Sequence, residues 1–193
     1  MPIQTLIDHF NGYVPLTPVE IESVIQKTTE RKVKKRQYIL QAGDLCNHYN
    51  FIVSGCLKMY SIDNSGKEHN LQFGIENNWL TDIGSLHDRK PSKLFIEAIE
   101  PSTILQIELR DLVYLYKNHP KFNLIFRVIT ENNFVELQNR VLQNISNSAE
   151  ERYAFFLTQH PSLSHRLPST QIASFLGITP EFLSTIKKSM AAK

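Results

Sequence analysis

Two stretches of the chain concentrate side chains able to hold a charged or hydrogen-bonding partner. In "WLTDIGSLHDRKPSKLF", residues 79–95, a carboxylate, hydroxyls and the cations Arg89 and Lys93 share one loop, a composition suited to a small anionic ligand. The plainer account of the two cations is loop solubility. In "STQIASFLGITPEFLSTIKK", residues 169–188, Thr179, Pro180, Glu181, Ser184, Thr185 and Lys188 stand off the apolar positions of a short helix. A carboxylate there can accept from cytosine N4, and hydroxyls can meet base edges or a thymine methyl. Lys187, Lys188 and Lys193 suit phosphates, which fix position without reading sequence.

Other chemistries find no support. No Ser/His or Cys/His pair falls in a recognised catalytic motif, no "GxSxG" or phosphate-cradling glycine loop is present, and the acidic residues are scattered, so no catalytic residue and no enzyme activity is expected. The seven histidines lack zinc-type pairing, and no metal is expected. Cys46 and Cys56 are too few for a disulfide framework and suit a reducing cytoplasm. The start "MPIQTLIDHF" lacks the pattern of a secretory leader, and no apolar run is long enough for a membrane span. A net charge of +2 gives no bulk electrostatic footprint for nucleic acid, so such a partner must be met by a local surface.

The second stretch has the frame of a helix-turn-helix. Ala173 is small where two helices must cross, Gly177 can take a positive φ at the turn, and Ile172, Leu176, Ile178, Leu183 and Ile186 are placed to pin both helices to a core. Thr179 and Pro180 supply an N-cap and first-position proline for the second helix. An ordinary packed helix pair is the bland alternative.

Upstream, "LTPVEIESVIQK" carries Thr17 as N-cap, Pro18 at the first helical position and Glu20 to close a capping box, which predicts a helix running into the basic cluster 27–36 as its solvated end. From Tyr38 to Leu109 the pattern is short strands with glycine corners at Gly43, Gly55 and Gly66; "LQFGI" and "LQIEL" alternate as half-buried strands with Leu71, Phe73 and Ile75, and Leu105, Ile107 and Leu109, facing inward. "RDLVYLYKNHP" reads as a short helix, and Pro120 opens a long one to about Ile145. Its seam, Ile125, Val128, Asn132, Val135, Asn139 and Leu142, has the spacing of a dimeric coiled coil, with Phe134, Leu137, Val141 and Ile145 opposite, toward its own domain. A core helix buried on both sides is the alternative. "AEERYAFFLTQHP" is another helix and "SLSHRLPS" a linker.

This order of parts resembles the Crp/Fnr family of bacterial transcription regulators. Carrying the resemblance are "YILQAGDLCNHYNFIVSGCLKMYSIDNSGKEHNLQF", the "NHP" turn and "QIASFLGITPEFLSTIKK". It implies an α+β chain: a cyclic-nucleotide-binding-like antiparallel β-roll (jelly roll) over 1–119, a dimerisation helix over 120–147 and a helix-turn-helix domain over 148–193. It also implies a cytoplasmic homodimer on double-stranded DNA, with RNA polymerase a further partner. No fixed cofactor follows, only a cyclic nucleotide or another small anionic effector. Its pocket would draw on Thr81, Asp82, Arg89, Ser92 and Lys93, with Leu137 and Gln138 from the long helix.

The sequence departs from the family at three places. A Gly-Glu pair and an arginine usually form the phosphate cassette; here Thr81, Asp82 and Ser92 stand in those positions. Losing one partner of a desolvated charge pair costs about 2–5 kcal/mol, which argues against tight cyclic-AMP binding. Pro180 and Thr185 replace the arginines that commonly read guanine, and Lys193 follows so closely that a short form without a C-terminal wing is expected. The competing reading is a ligand-binding signalling module whose helical tail contacts a protein.

Overall fold

The computed structural model describes residues 1–191. It divides into two compact units: residues 1–61 with 71–129, and residues 62–70 with the chain from Thr130 onward. The division cuts the long helix inside its length and assigns a hairpin tip of the roll to the second unit.

The first unit opens with α1 (Pro2–Asn11) and α2 (Pro18–Lys27). Seven strands follow: β1 (Thr28–Val33), β2 (Tyr38–Leu40), β3 (His48–Ser54), β4 (Leu57–Ile62), β5 (Glu68–Gly74), β6 (Phe95–Ala98) and β7 (Ser102–Glu108), with α3 (Ile83–Asp88) before β6. They form a three-stranded sheet in the order β1-β7-β3 and a four-stranded sheet in the order β2-β6-β4-β5. Next come α4 (Leu109–Asn118) and α5 (Lys121–Ser146), of which the residues to Ile129 belong here. Phe51, Ile52, Leu57, Leu80, Ile96, Ile104 and Ile107 of the roll are buried together with Leu6 and Phe10 of α1 and Phe122 and Ile125 of α5.

The expected signals hold where they are local. Thr17 accepts from Glu20 N–H while the Glu20 carboxylate accepts from Thr17 N–H, the capping box the sequence requires. Gly55 turns β3 into β4 at φ +102, and a Cβ there would collide with Ser102. Only glycine fits on both counts.

Two expectations are corrected, and one helix goes beyond what the sequence announced. The basic cluster is not a helix end: residues 28–33 form β1, antiparallel to β7 from Thr28↔Ile107 to Val33↔Ser102. Among the described residues no strand pairs with its other side, so Glu30, Arg31 and Lys32 stand on an edge strand, where charge discourages pairing with another sheet. The chain also begins with a helix: Ile3, Leu6, Ile7 and Phe10 have helical spacing, but α1 lacks a side-chain cap to announce it. In β5 Leu71 is exposed while Asn70 is buried, because Asn70 is held by hydrogen bonds described below.

In the second unit Ser148 and Glu151 form a capping box that starts α6 (Ala149–Gln159). The expected linker contains one short helix, α7 (Leu163–Arg166), before α8 (Ser169–Leu176) and α9 (Pro180–Ala191). Its buried side chains include Tyr153, Phe156, Leu163, Ile172, Ala173, Leu176, Leu183 and Ile186. In the hairpin tip Asp63 accepts from His69, the Ser65 hydroxyl, Lys67 N–H and Ser65 N–H, which together hold its carboxyl well below the usual range. Among the described residues no helix is long and apolar enough to cross a membrane.

His9 Nε2 accepts from the indole N–H of Trp79, the single tryptophan, at 3.2 Å. Burial pushes the His9 imidazole below its ordinary 6.5, and burial likewise lowers His48 and His160. The unfolded chain therefore binds more protons than the folded one as pH falls through 6.5, and stability is full above that value and declines below it. Thermal midpoints should drop between neutrality and the folded-state pKa values. Trp79 emission should titrate with a midpoint below 6.5 that His9→Gln abolishes.

Candidate effector site and nucleic-acid interface

In the first unit the cassette is built on a buried polar network. Gln106 of β7 donates to Asn50 of β3 at 2.8 Å, and the Asn50 amide donates to Leu80 C=O at 3.0 Å. Thr81 Oγ1 accepts from Asn50 N–H at 3.1 Å, so the start of the cassette is fixed to the sheet. Asp82 caps α3: one carboxylate oxygen accepts from Ser85 N–H at 3.1 Å and the other from the Ser92 hydroxyl at 2.6 Å. Ser92 also accepts from Leu94 N–H, and its own peptide is tied to Gly43 and Asp44.

The geometry brings Thr81, Asp82 and Ser92 together but spends their hydrogen bonds internally. A phosphate approaching the Ser92 hydroxyl would meet the Asp82 carboxylate that hydroxyl already serves. Arg89 ends α3 in the left-handed region at φ 56, with Nη1 3.5 Å from Cys46 C=O, and Lys93 is exposed. Two open surface hollows, of about 490 and 530 Å³, are lined by residues outside this cassette. Leu137 and Gln138 are exposed on α5 and belong to the second unit. Sequence reasoning missed Ser85, Asn50 and Gln106; the spacing of Ser85 three residues after a capping Asp82 was the available signal for the first.

In the second unit α8, the Gly177 turn at φ 68 and α9 form the expected helix-turn-helix. Ile178 N–H donates to Ala173 C=O, closing α8, and Thr179 Oγ1 accepts from Phe182 N–H at 3.2 Å, opening α9. With Leu183 and Ile186 buried, Thr179, Glu181, Ser184, Thr185 and Lys188 are exposed. The N-terminal amides and the Thr179 side chain lower the Glu181 carboxyl, keeping it an acceptor. Lys187 is half-buried and donates to Ser169 Oγ at 2.9 Å. Lys193 lies outside the described residues.

The helix pair is held from behind. Asn70, 3% exposed, donates to the Gln171 carbonyl and side chain at 3.1 and 2.8 Å, and its N–H donates to Ser174 Oγ. Arg140 of α5 donates to Asn70 C=O at 2.9 Å and Phe175 C=O at 3.1 Å, with its guanidinium 4.0 Å from the Phe175 ring centre. Burial pulls the Arg140 pKa down to about 10, still charged at neutral pH.

On α5 the proposed seam is only partly available. Ile125 is fully buried in the core of its own unit and Val128 is half-buried, so Ile125 is not an interface residue. Asn132, Val135, Asn139 and Leu142 are exposed, and so are Phe134, Val141 and Ile145, which were expected to face their own domain.

A family model described as "Cyclic nucleotide-binding domain" matches residues 30–119. The chain is 29% identical over 178 residues to the regulatory protein HlyX of Actinobacillus pleuropneumoniae, covering 86% of this chain and 72% of that one. It is 25% identical over 178 residues to the anaerobic regulatory protein of Pasteurella multocida, covering 86% of this chain but spanning only 64% of that relative's length. A transcriptional regulator of the Crp/Fnr family from Eubacterium rectale shares the fold at a TM-score of 0.71 and 18% identity, over 94% of this chain and 88% of that one. These matches agree with the resemblance to the Crp/Fnr family. The cassette pairs the Asp82 carboxylate with the Ser92 hydroxyl, the position where the resemblance implies a phosphate-binding arginine.

Replacing Arg140 by Met leaves two part-buried carbonyls without their charged donor. The second unit should lose about 2–3 kcal/mol of stability. Hydrogen exchange should show the loss first in the amides of α8, with β3 and β7 unaffected.

Proposed function

We propose that the chain is a homodimeric, DNA-binding transcription regulator whose α9 enters the major groove. The observation that carries this reading is the helix-turn-helix with Glu181, Ser184, Thr185 and Lys188 outward and Ile172, Leu176, Leu183 and Ile186 buried. In a two-fold dimer two such helices meet successive major grooves about 34 Å apart. The exposed apolar residues of α5 beyond Thr130, among them Val135, Leu142 and Ile145, supply the surface for a second copy. Glu181, Ser184 and Thr185 read base edges, Thr179 helps place the first turn, and Lys188 holds phosphate; Lys187 is partly diverted to Ser169. An effector that favours one arrangement of the reading heads shifts DNA affinity. The closed Asp82–Ser92 pair disfavours cyclic AMP in that role. An RNA polymerase contact would complete an activating regulator.

Val135→Glu together with Leu142→Glu should convert the dimer to a monomer in sedimentation and abolish retardation of a selected duplex. Lys188→Ala should weaken all sequences alike and reduce the slope of log affinity against log salt by about 1. The intact protein should show a shallow slope, and a steep one would contradict so small a set of phosphate-holding lysines on α9. Titration calorimetry with cyclic AMP should be silent at micromolar concentrations; saturable heat there would show that Arg89 or Lys93 reaches the cassette.

A further inference from the structure

Phe182 is the third residue of α9 and remains 45% exposed. Its N–H is tied to Thr179 Oγ1, so its backbone is fixed within the first turn, the part of a recognition helix that meets base edges. At about 100° per residue, Phe182 stands at the border of the packed face, between buried Ile186, four residues on, and exposed Thr185, three residues on. The ring thus flanks the exposed stripe of Glu181, Thr185 and Lys188. An exposed phenyl has no role in phosphate contact, and among major-groove edges only thymine offers an apolar group.

We propose that Phe182 reads sequence by packing its ring against the C5-methyl of a thymine. The assignment rests on the reading of α9 as the DNA-entering helix. Phe182 follows Glu181 directly, and α9 advances less per residue than the duplex does per base pair. The thymine therefore lies next to, or one step beyond, the cytosine that donates to Glu181. Specificity at this position comes from shape and desolvation, which a polar side chain would not supply.

The test uses the full chain. Duplexes enriched from a random pool define the operator, and each thymine in it is then replaced singly by deoxyuridine, which removes one methyl and nothing else. The wild type should lose about four-fold in affinity at one thymine per half-site, the burial value of a single methyl group. Phe182→Ala should bind the thymine and deoxyuridine duplexes equally, and Phe182→Leu should restore part of the difference. Indifference of the wild type to every replacement, or the same penalty retained by Phe182→Ala, would overturn the assignment while leaving DNA binding intact. Failure to enrich any duplex would instead overturn the reading of α9 itself, and this assignment with it.

Discussion

A part-buried guanidinium organises the helix-turn-helix unit. The last four carbonyls of α8 have no partner within the helix, and the Arg140 side chain donates to one of them, Phe175 C=O. Its positive charge also sits at the negative end of the α8 dipole. Burying a cation is unfavourable unless its donors are used, and here the same nitrogen reaches Asn70 C=O while the Phe175 ring covers the plane. With α8 held at Gln171, Ser174 and Phe175, the Gly177 turn leads from a fixed helix into α9. The exposed stripe of α9 thus follows a helix held by contacts outside that stripe.

The roll solves a buried charge in the opposite way. Asp82 is stabilised by an amide and a hydroxyl, so its environment supplies dipoles where a cyclic-nucleotide site needs a cation. The consequence is selectivity by sign. A ligand presenting a donor could compete with Ser92 for Asp82, whereas a phosphate would displace that hydrogen bond and then face an uncompensated carboxylate. A roll matched by the cyclic nucleotide-binding domain model thus carries a cassette closed by the Asp82–Ser92 pair.

Much of this was legible in the sequence wherever local chemistry sufficed. The Thr17–Glu20 box, the limits of α5 and the helix-turn-helix frame all depend on residues within one or two turns of each other. What was hidden depends on distant partners. The charges of residues 30–32 read as a solvated helix end until pairing with β7 shows an edge strand. Asn70 and Leu71 exchange faces because Asn70 has hydrogen bonds waiting on α8. Ser92 could be identified as a poor phosphate ligand from its type alone, but its bond to Asp82, ten residues away, needed the fold.

The long helix shows how one periodic pattern can serve two purposes in succession. Ile125 obeys the same spacing as Val135 and Leu142, yet it is consumed by the roll's core, while the later residues remain exposed. Heptad spacing alone cannot separate these roles, since it records which residues share a face and not what covers that face. Asn132 and Asn139 lie seven apart on the exposed part, as do Val135 and Leu142. In the proposed dimer, paired asparagines across the two-fold would cost stability and fix register. Register matters more here than in an ordinary coiled coil, because a slip of one heptad between the helices would move the two α9 helices out of step with the pitch of DNA.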